Sequence, residues 1–214
     1  MLKQNTKQII ASILVALMPM LAGLCLWQYL PEKMPTHWNS AGVVDGWSSK
    51  GFAVFGLTGI VLAAHIICIL ATAADPKHRN VSGKMLMLVY WICPVISLVS
   101  SSAVYAFALG AEIRMDIWPM ILVGVLMIVI GSWLPECKPN YTVGIKFPWT
   151  IHSEDNWQKT HRMAGPVWIA GGIIISVSGF LGKFSWIILV SALVLMVLIP
   201  GVYSYLLYRK TEKN

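Results

Sequence analysis

The chain has 214 residues, of which 57% are hydrophobic and only 12% charged, with a formal net charge of +7 and a mean hydropathy of +0.70. A water-soluble domain of this length does not carry such a composition, so the chain reads as all-α and polytopic, a single membrane domain over residues 1–214 with no separate soluble domain. The positive charge then serves topology and attraction to anionic lipid headgroups, and does not point to direct nucleic acid binding.

A bilayer crossing takes about 20 residues of helix. Apolar stretches of that kind run over about 9–30, 52–74, 85–109, 117–134, 166–181 and 184–206, which predicts a bundle of six transmembrane helices. The first run is too long for a signal core and lacks a small-x-small cleavage site, so no cleaved signal peptide is expected. Leu21-Ala22-Gly23-Leu24-Cys25 imitates a lipoprotein box but has Leu24 where a small residue belongs. The fifth span is short, opens on Ala164-Gly165-Pro166, and meets the sixth through a tight Gly182-Lys183 turn.

Basic residues near span ends resist translocation. Lys3 and Lys7, then Lys77, Arg79 and Lys84, then Lys138, Lys146, Lys159 and Arg162, and finally Arg209, Lys210 and Lys213 all fall on one side of a six-span scheme. The other side holds only Lys33, Lys50, Arg114 and Lys183. This bias predicts a multi-pass membrane protein with both termini in the cytoplasm.

Two loops are more than connectors. The extracytoplasmic module 30–50 carries Pro31, Pro35, His37, Trp38, Asn39, Trp47 and a Val44-Asp45-Gly46 turn, a mixture that suits an ordered loop at the membrane surface. Its candidate ligand-binding residues are His37, Trp38, Asn39 and Asp45. The cytoplasmic loop 135–165 contains Ser153 as a helix cap, Glu154 and Asp155 in the first turn, and Asp155 and Lys159 at i,i+4. That predicts a short interfacial helix, turned into the fifth span by Gly165-Pro166. Candidate partner-binding or gating residues there are Asn140, Lys146, Pro148, Trp149, Trp157, His161 and Arg162.

Chemistry is sparse. The spans contain no Asp, Glu, Lys or Arg, which disfavours a proton-coupled pump. His65, inside the second span, reads best as a neutral imidazole bonded to a neighbouring helix, a proton relay or ligand site being the alternative. Cys25, Cys68 and Cys93 fall in spans and Cys137 beside one, with no C-x-x-C pattern, so they read as packing residues. His152 and His161 share a loop without metal-ligand spacing, and no nucleophile and base pair can be named. The expectation is a protein that is not an enzyme and has no cofactor and no metal.

The motifs Lys138-Pro139-Asn140, Gly144-Ile145-Lys146-x-Pro148-Trp149-Thr150 and Asn156-Trp157-x-x-Thr160-His161-Arg162-x-Ala164-Gly165 together resemble the signature of the SdpI family of bacterial membrane proteins. Leu30-Pro31, Pro35, His37-Trp38-Asn39, Gly42 and Asp45-Gly46 are similar to the short N-terminal module that many of its members carry. Lys146 stands where that family often has arginine, and Phe147 where it often has threonine. The resemblance implies an immunity or signal-transducing protein that meets a secreted toxic peptide outside and draws a transcriptional repressor to the membrane inside. The alternatives from other classes are a small transporter or channel and an intramembrane enzyme.

A further pattern links the halves. Leu30-Pro31-Glu32-Lys33-Met34-Pro35 and Leu134-Pro135-Glu136-Cys137-Lys138-Pro139 share L-P-E-x-x-P, three spans apart. The pattern marks either a 3+3 inverted repeat or a shared way to stop a helix at the membrane surface.

Overall fold

The computed structural model describes residues 2–211, so Lys213 of the basic tail lies outside them. Helices long and apolar enough to cross a membrane run Lys3–Cys25, Phe52–Ala74, Gly83–Ala108, Trp118–Glu136 and Glu154–Thr211. The last covers 58 residues and is broken at Gly182, whose φ of 59° and ψ of −126° no helix contains. Two arms result, and the all-α polytopic architecture read from composition stands.

The elements are α1 (Thr6–Cys25), β1 (Lys33–Trp38), β2 (Val44–Ser49), α2 (Leu57–Ala74, entered through a π-helical turn at Phe52–Gly56), α3 (Gly83–Ala108), α4 (Trp118–Trp133), α5 (Pro148–Ile151), α6 (Glu154–Ser178) and α7 (Ser185–Thr211). They fall into two compact units, Met1–Ala73 with Met87–Trp118, and Ala74–Leu86 with Pro119–Asn214.

In the first unit, lipid supplies no water to a buried polar group, so helices satisfy each other. Ser12 Oγ donates to its own helix at Ile9 O (2.9 Å) and therefore accepts from His65 Nε2, also at 2.9 Å. His65 thus joins α2 to α1, as the favoured reading of the sequence had it. Tyr105 of α3 donates to the Pro19 carbonyl of α1 at 3.1 Å. Gly23 makes room for this junction: a Cβ there would stand 2.5 Å from Val54. Leu30, Met34, Ala53, Val54 and Tyr105 form the core beneath the first loop.

That loop is an antiparallel hairpin, the one feature the all-α expectation did not contain. Its turn follows from Asn39, whose side-chain oxygen accepts from the backbone of Ala41 (2.9 Å) and Val43 (3.1 Å), and from Gly42 at φ 74°. A Cβ at Gly42 would meet the Asp116 backbone nitrogen at 2.9 Å, so the hairpin tip rests on the loop after α3.

In the second unit, α4 and α6 approach backbone to backbone. A Cβ at Gly172 would sit 2.5 Å from Gly124 O, and one at Gly165 would sit 3.0 Å from Gly131 O. Such contact is a usual way for helices to gain packing where no hydrophobic drive exists between them. Pro200 in α7 has no N–H for the carbonyl of Met196, four residues earlier. Trp168 of α6 supplies the missing donor at 3.0 Å.

The expected short interfacial helix ending at Gly165-Pro166 is corrected: α6 runs unbroken from Glu154 to Ser178. Pro166 removes one hydrogen bond only, whereas unwinding beside the membrane would strand several more. The Ser153 cap itself is as read, accepting from Asn156 N at 3.2 Å, and so is the pair of Asp155 and Lys159 at 2.8 Å. A separate short helix does occur, at Pro148–Ile151.

Candidate functional site

Each unit carries one built loop module, and the sequence candidates divide between them. The hairpin exposes His37 and Asp45, whose Nδ1 and Oδ1 stand 2.5 Å apart. Trp38 turns inward, packing edge-on against Phe107 of α3 with ring centroids 5.5 Å apart. Asn39 uses its side-chain oxygen to shape the turn. Of the four residues, then, two form a surface pair and two hold its shape. At the hairpin base lies a group the sequence reading treated only as a topology signal. Lys50 is buried, donates to Trp27 O (3.0 Å), pairs with Glu32 (2.9 Å) and lies 5.1 Å from the Trp27 ring centroid. A buried ammonium needs such partners.

The second module is the loop after α4, closed onto α6. Asn140 is fully enclosed: Oδ1 accepts from Val143 N (2.6 Å) and Thr142 N (2.9 Å), while Nδ2 donates to Lys138 O (2.8 Å). Trp157, with no exposed surface, donates its indole N–H to Cys137 O at 2.7 Å and stacks on His161 at 4.2 Å. His161 Nε2 accepts the Ile145 backbone N–H at 2.9 Å, so Nδ1 carries the proton and donates to Trp157 O at 2.8 Å. Both ring nitrogens are committed, and the imidazole is neutral. Gly144, at φ 115°, is where the loop crosses this stack; a Cβ would stand 2.6 Å from His161 Nε2.

Lys146 clamps the turn from outside by donating to Tyr141 O (3.0 Å) and Thr142 O (2.9 Å). Pro148 starts α5, and Trp149 reaches α7 through Ser204 Oγ at 2.9 Å while stacking on Phe147. Asn156 donates to Ser204 O at 2.9 Å, so Ser204 is held twice. Arg162 is exposed. Thus Asn140, Trp157 and His161 are internal bolts, whereas Lys146, Pro148 and Arg162 are exposed and Trp149 is half-buried.

The sequence reading overlooked the residue that ties this clasp to the loop between α2 and α3. Asp75 is buried and accepts from Lys77 N (2.7 Å), Tyr141 N (2.8 Å) and Thr142 Oγ1 (3.0 Å). Burial pushes its carboxyl up, but the hydrogen bonds outweigh burial and leave it below the ordinary value. Asn80 adds a bond to Pro139 O at 2.7 Å, and Lys84 pairs with Glu136 at 2.5 Å. The signal was present in Asp75-Pro76-Lys77, an Asx-type turn at a helix end. These contacts put the second and fourth loops on one side, as the basic residues imply; in the other unit the hairpin meets the third loop through Gly42 and Asp116.

The Cys137 thiol is buried, donates to Val143 O at 3.4 Å, and burial pushes its pKa up to about 11, where a thiolate is scarce. Beside the clasp lies an open cavity of about 430 Å³ lined by Pro148, Trp149, His152, Asn156 and Tyr208.

Residues 136–204 match the SdpI/YfhL protein family, and residues 14–62 match a domain of unknown function (DUF1648). The chain is 28% identical over 213 residues, 95% of its length and 97% of the relative's, to a Bacillus subtilis (strain 168) protein named immunity protein SdpI. No solved structure matches significantly.

Proposed function

We propose that the chain is a member of the SdpI/YfhL protein family and a membrane immunity protein protecting its cell against a secreted toxic peptide. The observation that carries this reading is end-to-end similarity to a relative named for immunity, covering both loop modules and not the signature alone. In this reading both termini are cytoplasmic, the hairpin meets the peptide outside, and the clasp faces inward. The reach of Lys146, Pro148, Trp149 and Arg162 gives a cytoplasmic transcriptional repressor a surface to dock on, with Asn140, Trp157 and His161 fixing its shape.

Expression in sensitive cells tests the reading. Wild-type chain should raise the concentration of secreted killing peptide that cells survive, and a chain that changes survival against no such peptide overturns it. Alanine at His37 and Asp45 together should remove protection at unchanged membrane abundance, because a restrained polar pair loses little entropy on binding.

A further inference from the structure

A two-stranded sheet has two outer edges, and in this hairpin they are unlike. The register pairs Lys33 with Ser49, Met34 with Ser48 and Pro35 with Trp47, then passes irregularities to pair His37 with Gly46 and Trp38 with Val44. Lys50 N donates to Glu32 O at 2.9 Å at the open end, and Asn39 N to Val43 O at 2.9 Å at the turn. In an antiparallel ladder, bonded and non-bonded pairs alternate. Counting inward from Glu32 and Lys50, Met34 and Ser48 form a bonded pair, whereas Lys33 with Ser49 and Pro35 with Trp47 are non-bonded. The N–H and C=O of those four residues therefore point away from the partner strand.

On β1 these outward positions are Lys33 and Pro35. Proline has no N–H to offer, lysine resists edge pairing, and Pro35 is buried as well. On β2 they are Trp47 and Ser49, both exposed, with Asp45 exposed beyond them. Among the described residues Trp47 makes no backbone hydrogen bond outside the hairpin ladder, whereas Ser49 caps the helix that follows: its hydroxyl accepts from Phe52 N at 3.2 Å and its carbonyl turns into the first helical turn, so Trp47 N–H and C=O and Ser49 N–H make up the open edge. Trp47 is 58% exposed and Val43 at the turn 59%, so the edge carries apolar side chains where protected edges carry charge or proline.

We propose that the outer edge of β2 receives an extended segment of the secreted peptide as a third strand, with Trp47 covering one of its apolar side chains. An unpaired row of backbone donors and acceptors fits one kind of partner, another extended backbone, and such strand addition takes affinity from main-chain bonds and selectivity from alternate side chains. The regular part of the edge is two residues long, which suits a flexible peptide and offers little to a second rigid copy of the hairpin. This inference rests on the immunity reading and names how the hairpin would hold the peptide.

Proline substitutions separate the two edges. Trp47→Pro deletes an outward N–H and leaves every ladder bond within the hairpin in place; Lys33→Pro does the same on the opposite edge. Cells expressing each variant are titrated with a purified secreted killing peptide against which the wild-type chain protects, with membrane abundance measured in parallel. The expected result is a loss of protection of about tenfold or more for Trp47→Pro, as one or two lost hydrogen bonds and an aromatic contact imply. Lys33→Pro should match wild type, and Trp47→Tyr, which keeps the N–H and a ring, should retain most protection. Should Trp47→Pro fall in abundance, Trp47→Ala removes the covering ring in its stead and should lose protection in the same direction, and wild-type protection by that variant overturns the proposal. Equal protection by Trp47→Pro and wild type overturns the edge proposal while leaving immunity intact; absence of protection by the wild type against every peptide overturns the immunity reading itself. If Trp47→Pro turns a detergent-solubilised dimer into a monomer with protection unchanged, the edge joins two copies and the proposal is likewise overturned.

Discussion

Asp75 shows how much a single carboxylate does when three donors converge on it. Its folded pKa lies below the unfolded value, so its contribution to stability is complete above the ordinary carboxylate range near about 3.9. The contribution is lost only as pH falls through the lowered folded value, so the clasp should be indifferent to pH between about 5 and 8. Asp75→Asn presents an N–H where the backbone of Lys77 or Tyr141 also presents one, at a cost of about 1–3 kcal/mol. The expected outcome is faster proteolysis in the 138–150 loop at neutral pH, together with a weaker acid dependence below about pH 4 than the wild type is expected to show; wild-type proteolysis would remove Asp75 from its assigned role. The Asp75-Pro76-Lys77 turn marked this residue only as a local cap, because its other two partners, Tyr141 and Thr142, lie more than sixty positions away. Asn140, Trp157 and His161 were marked, yet as surface residues, since polar and aromatic side chains in a loop look alike whether they face out or knot the loop from within.

At the scale of elements, hydropathy located the helices well. The stretch 52–74 coincides with the observed Phe52–Ala74, and the others differ by a few residues at their ends, apart from the fifth. There the local rules that make Gly165-Pro166 a turn were overruled by packing, since Gly165 is needed small against Gly131 and Pro135 and the helix continues through it. The hairpin was legible as a shaped loop but not as strands, because its β character depends on a register that only the closed turn at Asn39–Gly42 sets. Trp168 illustrates a cross-element debt: the proline in α7 leaves Met196 O open, and α6 closes it. Trp168→Phe keeps the ring and removes the donor, so thermal unfolding in detergent should show a loss of about 1 kcal/mol, in the range found for hydrogen bonds between membrane helices. In a Pro200→Ala background Met196 O regains its own helical N–H, and the same Trp168→Phe change should then cost almost nothing; an equal loss in both backgrounds would show that the ring, and not the bond, matters.

For the whole molecule, the shared L-P-E-x-x-P segments gain content from what each does in its own unit. Leu30 and Leu134 are both buried, and both glutamates find lysines, Glu32 with Lys50 and Glu136 with Lys84. Each segment ends one spanning helix and opens a built loop, after which two further helices follow, α2 and α3 in one case, α6 and α7 in the other. The loops themselves differ, one a hairpin and the other a clasp, so any kinship resides in the helices and the stop signal. Three spans separate the copies, and an odd number of crossings reverses direction, which is what an inverted repeat requires. Two outcomes are then expected together. A cysteine placed by Lys33→Cys, in a background without the natural cysteines, should react with an impermeant maleimide in intact cells, and one placed by Lys138→Cys should not until the cells are opened. In an experimental structure, α1, α2 and α3 should superpose in order on α4, α6 and α7 about an axis in the membrane plane. Opposite labelling with helices that cannot be matched in order and direction would reduce L-P-E-x-x-P to a stop signal used twice, and labelling of both cysteines from outside would remove the reversal on which the repeat depends.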